Sequence, residues 1–357
     1  MSAHSTGLPS YESLTHWRQY EPHFPAFMRT TPETMPKEEW WKWRGARAGS
    51  RGRTALDVHL DRARVLGSRL KVLVIHGAGA YGRVMAPCAV LAQRYGFDTV
   101  TPDLPGYGLT KVPWSQFTYD AWVDCVVDLI DHELALDDKP IALFGVSMGG
   151  ILAYQAAARS RRVAGVCVTT IADTREREVR QDFARTRLLG TAGLGLLSAL
   201  PPLTDGLPLP MAYMSKMHNI SQNKALSRIC MTDRLGGGNV VPARFLRTFM
   251  NAAPAIEPEA FTDCPLLLAH PGEDRMTDIA HSRRFFERLA CEKQMVVLPG
   301  ASHMPVEEKG ARVLEKATLD FFKSLEQRAA GSSRSGKPAP AKADVQGTGV
   351  SECTAQL

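Results

Sequence analysis

The chain has 357 residues, 44% of them hydrophobic and 22% charged, with a formal net charge of +6. That balance suits one large α/β domain with an insertion, or two smaller domains. The basic residues are spread over 44–64, 159–162 and 175–187, with acidic residues inside the first and last stretches, which argues against the concentrated stripe that a nucleic-acid partner requires.

Residues 1–40 are rich in Pro and aromatic side chains with little periodicity, and are expected to wrap the domain as an irregular arm. Residues 38–43 and the alternating 55–62 read as a hairpin, with the Gly-, Arg- and Ser-rich 46–53 as its turn. From Lys71 the pattern changes to short apolar strands at 72–75, 99–101, 141–144, 165–169, 265–269 and 294–298. Helical segments at 84–95, 119–133, 149–158 and 279–290 fall between them, and 311–325 follows as the last. Strands apolar on both faces and joined by helices predict a mostly parallel sheet covered on both sides. About ninety residues, 173–260, separate two consecutive strands, too many for a structureless loop. They are expected to form an inserted helical cap, leaving 41–172 and 261–327 as the core. The end, 328–357, is rich in Gly, Ser, Ala, Pro and Lys and is expected to be disordered.

The strongest local signal is Gly145-Val146-Ser147-Met148-Gly149, directly after an apolar strand and directly before a helical run. A strand that turns sharply into a helix strains the residue at the turn and lifts its hydroxyl above the sheet edge. Glycines two residues to either side let the neighbouring chains approach. Ser147 is therefore the candidate nucleophile, with the N–H groups of the following helix aimed at the same spot. Upstream, His76-Gly77-Ala78-Gly79 also ends a strand. Acyl transfer needs donors facing the developing oxyanion, and the backbone N–H groups of Met148 and Ala78 are the best placed. His76 itself reads as structural.

A serine nucleophile needs a base. Of ten histidines, His303 lies in a loop after the last strand and is the first choice, with His270 second. His4, His16, His23, His59, His132 and His281 are expected at the surface, and His218 lies in the expected cap, within reach of substrate. Asp274, after the strand at 265–269, is favoured to orient His303. Asp173 competes for that role from the end of an earlier strand, and Asp278 reads as a helix N-cap.

The order Ser147, Asp274, His303 is the one expected of the α/β-hydrolase fold. From about Trp40 to Leu325 the chain resembles the α/β-hydrolase superfamily, on these motifs and on Asp103-Leu104-Pro105-Gly106-Tyr107-Gly108. That last turn looks like the mainly structural loop after the fourth strand in lipase- and esterase-like members. Ser147-Met148-Gly149-Gly150 is similar to the elbow of monoacylglycerol-lipase-like and C–C hydrolase branches, although Val146 replaces their usual His or Asn. Pro271 stands where a Gly usually precedes the acid by three residues. The resemblance implies an α/β fold with a helical cap and a serine esterase using a catalytic triad and oxyanion hole on a small-molecule substrate. No metal or organic cofactor is implied. The Met- and Leu-rich insertion suits an apolar ester. The same triad also serves C–C, lactone and amide hydrolysis, acyl transfer and perhydrolysis, and a ligand-binding protein on a hydrolase scaffold is a further alternative. A serine at 147 argues against dehalogenase and epoxide-hydrolase chemistry, which use a carboxylate nucleophile.

Seven cysteines at 88, 125, 167, 230, 264, 291 and 353 fit neither a disulfide framework nor a zinc site. Cys88, Cys125 and Cys167 read as small buried hydrophobes. Residues 1–20 carry no apolar signal core, and no uncharged apolar run reaches about 18 residues. A cytoplasmic protein without a membrane span is expected.

Overall fold

Every apolar run anticipated between 72 and 298 forms a strand. The computed structural model describes residues 7–45, 54–186, 190 and 193–334, so the turn expected at 46–53 and the segment 335–357 lie outside the described residues. The strands are β1 (Lys37–Trp43), β2 (Leu56–Ala63), β3 (Lys71–Ile75), β4 (Asp98–Pro102), β5 (Ile141–Gly145) and β6 (Gly165–Val168), then β7 (Pro208–Pro210), β8 (Val240–Pro242), β9 (Leu266–Pro271) and β10 (Lys293–Leu298). Eight of them make one sheet, in the order β1-β2-β4-β3-β5-β6-β9-β10. β1 and β2 form the expected hairpin, and β2 pairs antiparallel with β4. Every pair from β4 to β10 is parallel. The strand order reverses around β3, so the carboxyl ends of β3 and β5 open beside one another, where ligands of open α/β sheets bind.

α1 (Ala86–Arg94), α2 (Tyr119–Leu136) and α3 (Met148–Ser160) connect the early strands. α2 starts where the Thr118 side chain accepts from the Ala121 amide, at 3.1 Å. The insertion between β6 and β9 holds α4 (Arg177–Phe183), α5 (Leu194–Ala199), α6 (Pro201–Thr204), α7 (Met211–Met214), α8 (Lys224–Thr232) and α9 (Ala243–Met250). It is less uniformly helical than expected, because β7 and β8 pair as a small antiparallel ribbon. Its backbone is tied to the core where Met304 donates to the Ile220 carbonyl and Gly108 to that of Leu235, at 2.8 and 3.0 Å. Gly237 and Gly238 serve close packing: a Cβ at either would lie 2.6 Å from Cys230 Sγ or the Met231 carbonyl. α10 (Ile279–Arg288) begins at the expected N-cap, Asp278, and α11 (Glu308–Arg334) runs past the expected limit at Leu325.

The arm is a docked structure. It folds as four 3₁₀ turns, Tyr11–Ser13, His16–Gln19, Glu21–His23 and Ala26–Met28, and buries Tyr11, Trp17, Tyr20, Phe24 and Met28. It also corrects the expected surface position of His59. Alternation along β2 sends Leu56, Val58 and Leu60 to one face and His59 and Asp61 to the other, but the arm covers that second face and His59 is buried. Tyr11 stands edge-on to its ring at 5.0 Å.

A buried ion cluster joins β2, β3 and α2. Glu133 accepts from Arg62 at 2.5 and 2.8 Å and from Lys71 Nζ at 2.9 Å. Burial alone would raise the Glu133 carboxyl, yet hydrogen bonds and charge from Arg62 and Lys71 hold it below the usual range. Glu133→Ala removes the buried anion between Arg62 and Lys71, leaving them Glu39 at 2.7 Å and Asp137 at 3.3 Å, and is expected to cost about 3 kcal/mol in denaturant unfolding. Because the folded carboxyl is depressed, this contribution is present above its unfolded pKa and fades as pH falls through the folded value. A loss below 1 kcal/mol, or one insensitive to acid, would refute the account.

Candidate active site

Ser147 occupies the turn between β5 and α3 with φ 58° and ψ −128°, in the positive-φ region that non-glycine residues seldom enter. Its neighbours make the turn possible. A Cβ on Gly145 would run into the Gly149 carbonyl, and one on Gly149 into the carbonyls of Ile75 and His76. β5, the head of α3 and the end of β3 are thus pressed together, and the Ser147 side chain is left outside the press. The Thr169 hydroxyl accepts from the Ser147 amide at 3.2 Å, a support that the pentapeptide alone does not disclose.

The loops after β9 and β10 bring two further groups to this hydroxyl. His303 Nε2 lies 2.7 Å from Ser147 Oγ, and His303 Nδ1 lies 2.7 Å from Asp274 Oδ2. The imidazole is 3% exposed and the Asp274 side chain 1%, so water competes little for either bond. The other Asp274 oxygen accepts from the amides of Met276 and Thr277 at 2.7 and 2.9 Å. Burial alone would raise the Asp274 carboxyl, but the charge and hydrogen bond of His303 and these two amides outweigh it and keep it ionised below the usual range.

The competing residues lie elsewhere. Asp173 pairs with Arg175 at 2.6 Å and accepts its backbone amide at 2.9 Å. His270 is buried, with Nδ1 donating to the Pro271 carbonyl at 2.8 Å. His218 is exposed on the insertion. His76 fills the structural role expected of it. Burial pushes its pKa down to about 4, so the neutral ring donates from Nδ1 to the Gly77 carbonyl at 2.8 Å and accepts the Leu104 amide at Nε2, at 3.0 Å. A trans peptide points its C=O and N–H in opposite directions, so fixing the Gly77 carbonyl also fixes the direction of the Ala78 N–H. Among the described residues, no backbone acceptor takes the Ala78 or Met148 N–H.

Two pockets meet at Ser147. One is apolar, reaches Ala78 and His303, and includes Met217 and Ile220 from the insertion. The other carries Thr170, Thr174, Asp182 and His281 beside Ile151 and Phe249. Sequence reasoning missed the arm's part in the first pocket, to which Phe24 and Met28 contribute. Their only signal is that they are apolar residues in a segment without periodicity.

The fold and this arrangement define an α/β hydrolase. The chain belongs to the alpha/beta hydrolase family, whose model matches residues 72–316. It is 24% identical over 223 residues to phospholipase YtpA of Bacillus subtilis, spanning 61% of this chain and 81% of that protein. Similar solved structures include a soluble variant of Saccharomyces cerevisiae monoglyceride lipase bound to a substrate analogue, with TM-score 0.65 and 16% identity over 85% of this chain and 98% of that one. The monoacylglycerol lipase of Paleococcus ferrophilus has TM-score 0.59 and 21% identity, over 74% and 99% respectively. Among the described residues, no helix is long and apolar enough to cross a membrane.

Gly77 tests the packing that frames the serine. A Cβ there would lie 2.8 Å from both Ser147 Cβ and the Val146 carbonyl, and 3.0 Å from the Met148 amide. Gly77→Ala is expected to destabilise by about 1–3 kcal/mol through overpacking and to lower reactivity at Ser147. Unchanged melting and unchanged reactivity towards a serine-directed probe would show that the loop can yield.

Proposed function

We propose that this protein is a serine hydrolase that cleaves carboxylic esters with an apolar acyl or alcohol group through an acyl-enzyme. The observation that carries the reading is the unbroken run of short hydrogen bonds from Ser147 through His303 to buried Asp274. Ser147 Oγ attacks the ester carbonyl as His303 Nε2 takes its proton. Asp274 holds Nδ1–H and stabilises the imidazolium that forms. The N–H groups of Ala78 and Met148 receive the oxyanion. Collapse of the intermediate breaks the C–O bond, and the alcohol leaves with the proton from His303. Water activated by the same imidazole then releases the acid. The route calls on protein groups and water alone.

Two pockets meeting at one serine suit an ester, which carries a group on each side of the carbonyl. The apolar pocket favours the acyl chain, while threonines, Asp182 and His281 give the other a more polar character. The insertion supplies walls to both, and in this reading acts as a cap. A small-molecule ester and a cytoplasmic setting fit six buried cysteines that are free thiols among the described residues.

A fluorophosphonate probe is expected to label the protein once, with the adduct mapping to Ser147 and absent in Ser147→Ala. Labelling that survives this change would remove Ser147 from the mechanism. Asp274→Asn is expected to fold and to lower kcat for ester hydrolysis by about 10⁴, as amide-for-acid changes do in serine proteases. Asp173→Asn weakens the pairing with Arg175, so it should lose about 1–3 kcal/mol of stability and keep most of its rate. The reverse pattern would transfer the orienting role to Asp173.

A further inference from the structure

We propose that the N-terminal arm is a specificity element, with Phe24 and Met28 forming the wall that limits the length of acyl chain the apolar pocket accepts. The inference rests on the ester-hydrolase reading of Ser147 and adds an assignment for residues outside the family-matched span, 72–316.

Phe24 and Met28 are 4% and 0% exposed and line the same pocket as Ser147 and His303. Met85 and Cys88, at the start of α1, line it with them. The turn Ala26–Met28 packs on α1, so arm and helix together form one apolar side of the pocket. Among the described residues, no Asp, Glu, Lys or Arg side chain lines this pocket. The chemistry that fits it is a saturated or unsaturated hydrocarbon chain, which gains free energy in proportion to the apolar area it hides from water.

A wall can set length only if it is held, and the arm is held at several points. Tyr11 Oη donates to Asp103 at 2.7 Å, and the Tyr11 amide to Glu38 at 3.1 Å. The Arg83 guanidinium lies over the rings of Tyr11 and Trp17, at 4.9 and 5.0 Å. Tyr20 Oη donates to Asp233 of the insertion at 3.1 Å. Arg29 Nε donates to the Phe24 carbonyl at 2.9 Å, and its Nη2 to the Pro22 carbonyl at 2.9 Å. The backbone that carries Phe24 is therefore clamped from both the core and the insertion.

The test measures kcat/KM for p-nitrophenyl butanoate, octanoate, dodecanoate and hexadecanoate with the full chain and with Phe24→Ala, Met28→Ala and Phe24→Trp. Fluorophosphonate labelling of Ser147 is followed in each. Removing the wall should raise the dodecanoate-to-butanoate ratio by about tenfold, the scale that a single methylene carries in an apolar pocket. Phe24→Trp should lower it. If an alanine variant does not fold, Phe24→Leu and Met28→Val make the same comparison with smaller shifts in the same direction. Ratios unchanged in variants that still label at Ser147 would overturn the wall and leave the hydrolase reading standing. A parent protein that neither labels at Ser147 nor turns over any of the esters would overturn that reading, and the acyl occupant with it.

Discussion

One buried carboxylate holds together the loops on which the site stands. Asp103 follows β4 and has no exposed surface. It accepts the Gly82 amide at 2.7 Å, the Leu109 amide at 2.8 Å and the Tyr11 hydroxyl at 2.7 Å, and lies 3.2 Å from His59 Nδ1. These partners come from the loop after β3, its own turn, the arm and β2. Burial by itself would raise the Asp103 carboxyl, but His59 and the donors around it pull it below the usual range. Burial likewise works against a charged His59, yet Asp103 and Glu38 push its pKa up to about 10. An ion pair in such a place is tolerated because Asp103 accepts three hydrogen bonds and His59 Nε2 lies 3.2 Å from Glu38. The geometry also requires Gly108, at φ 52°, since a Cβ there would occupy the space of the carboxylate.

The elbow depends on backbone packing in the same way. Ser147 takes its positive φ in a turn where Gly149 lies against the end of β3 and Gly145 against the head of α3. Gly145 and Gly149 make that closeness possible, and Gly77 brings the next loop against the serine. His76 then joins that loop to the turn containing Asp103 through the Leu104 amide. The serine, the loop facing it and the Asp103 turn therefore form one connected set of close contacts, with backbone rather than long side chains at its critical points. Such a set has few ways to relax, which suits the proposed role of the Ala78 and Met148 N–H groups as donors held in place before charge develops.

How much of this was legible follows from the kind of signal each feature leaves. The parallel strands were plain, because burial on both faces makes them continuous apolar runs. The convergence of Ser147, His303 and Asp274 is legible because each follows the carboxyl end of such a run. The polar face of β2 misled. His59 and Asp61 alternate like solvent-facing residues, yet the arm buries both, and nothing local announces a covering segment tens of residues away in sequence. The arm lacks periodicity, as its short 3₁₀ turns require, but its docking depends on Tyr11 and Tyr20 finding Asp103 and Asp233. Partners separated by 92 and 213 positions leave no periodic trace. The β7–β8 ribbon was hidden for a simpler reason, since strands of three residues are too short to show alternation.

These two kinds of feature divide the demands on the site. In the proposed reaction Ser147, His303 and Asp274 must keep their spacing closely, and the turn and loops that carry them, after β5, β10 and β9, lie within the family-matched residues 72–316. Choice among chains in an apolar pocket requires only volume in the right place, because hydrophobic contact has no strict direction. Apolar side chains on the arm and the insertion can supply that volume, even though Tyr11 and Tyr20 of the same arm belong to the hydrogen-bonded frame. Met217 and Ile220 do so from the insertion, and Phe24 and Met28 from the arm. Substitutions at these four positions act through the size of a void, whereas substitutions at Gly77, His76 or Asp103 act through the frame. The first group can therefore vary while the geometry at the serine stays fixed, and a pocket built this way can change its preference without rebuilding its chemistry.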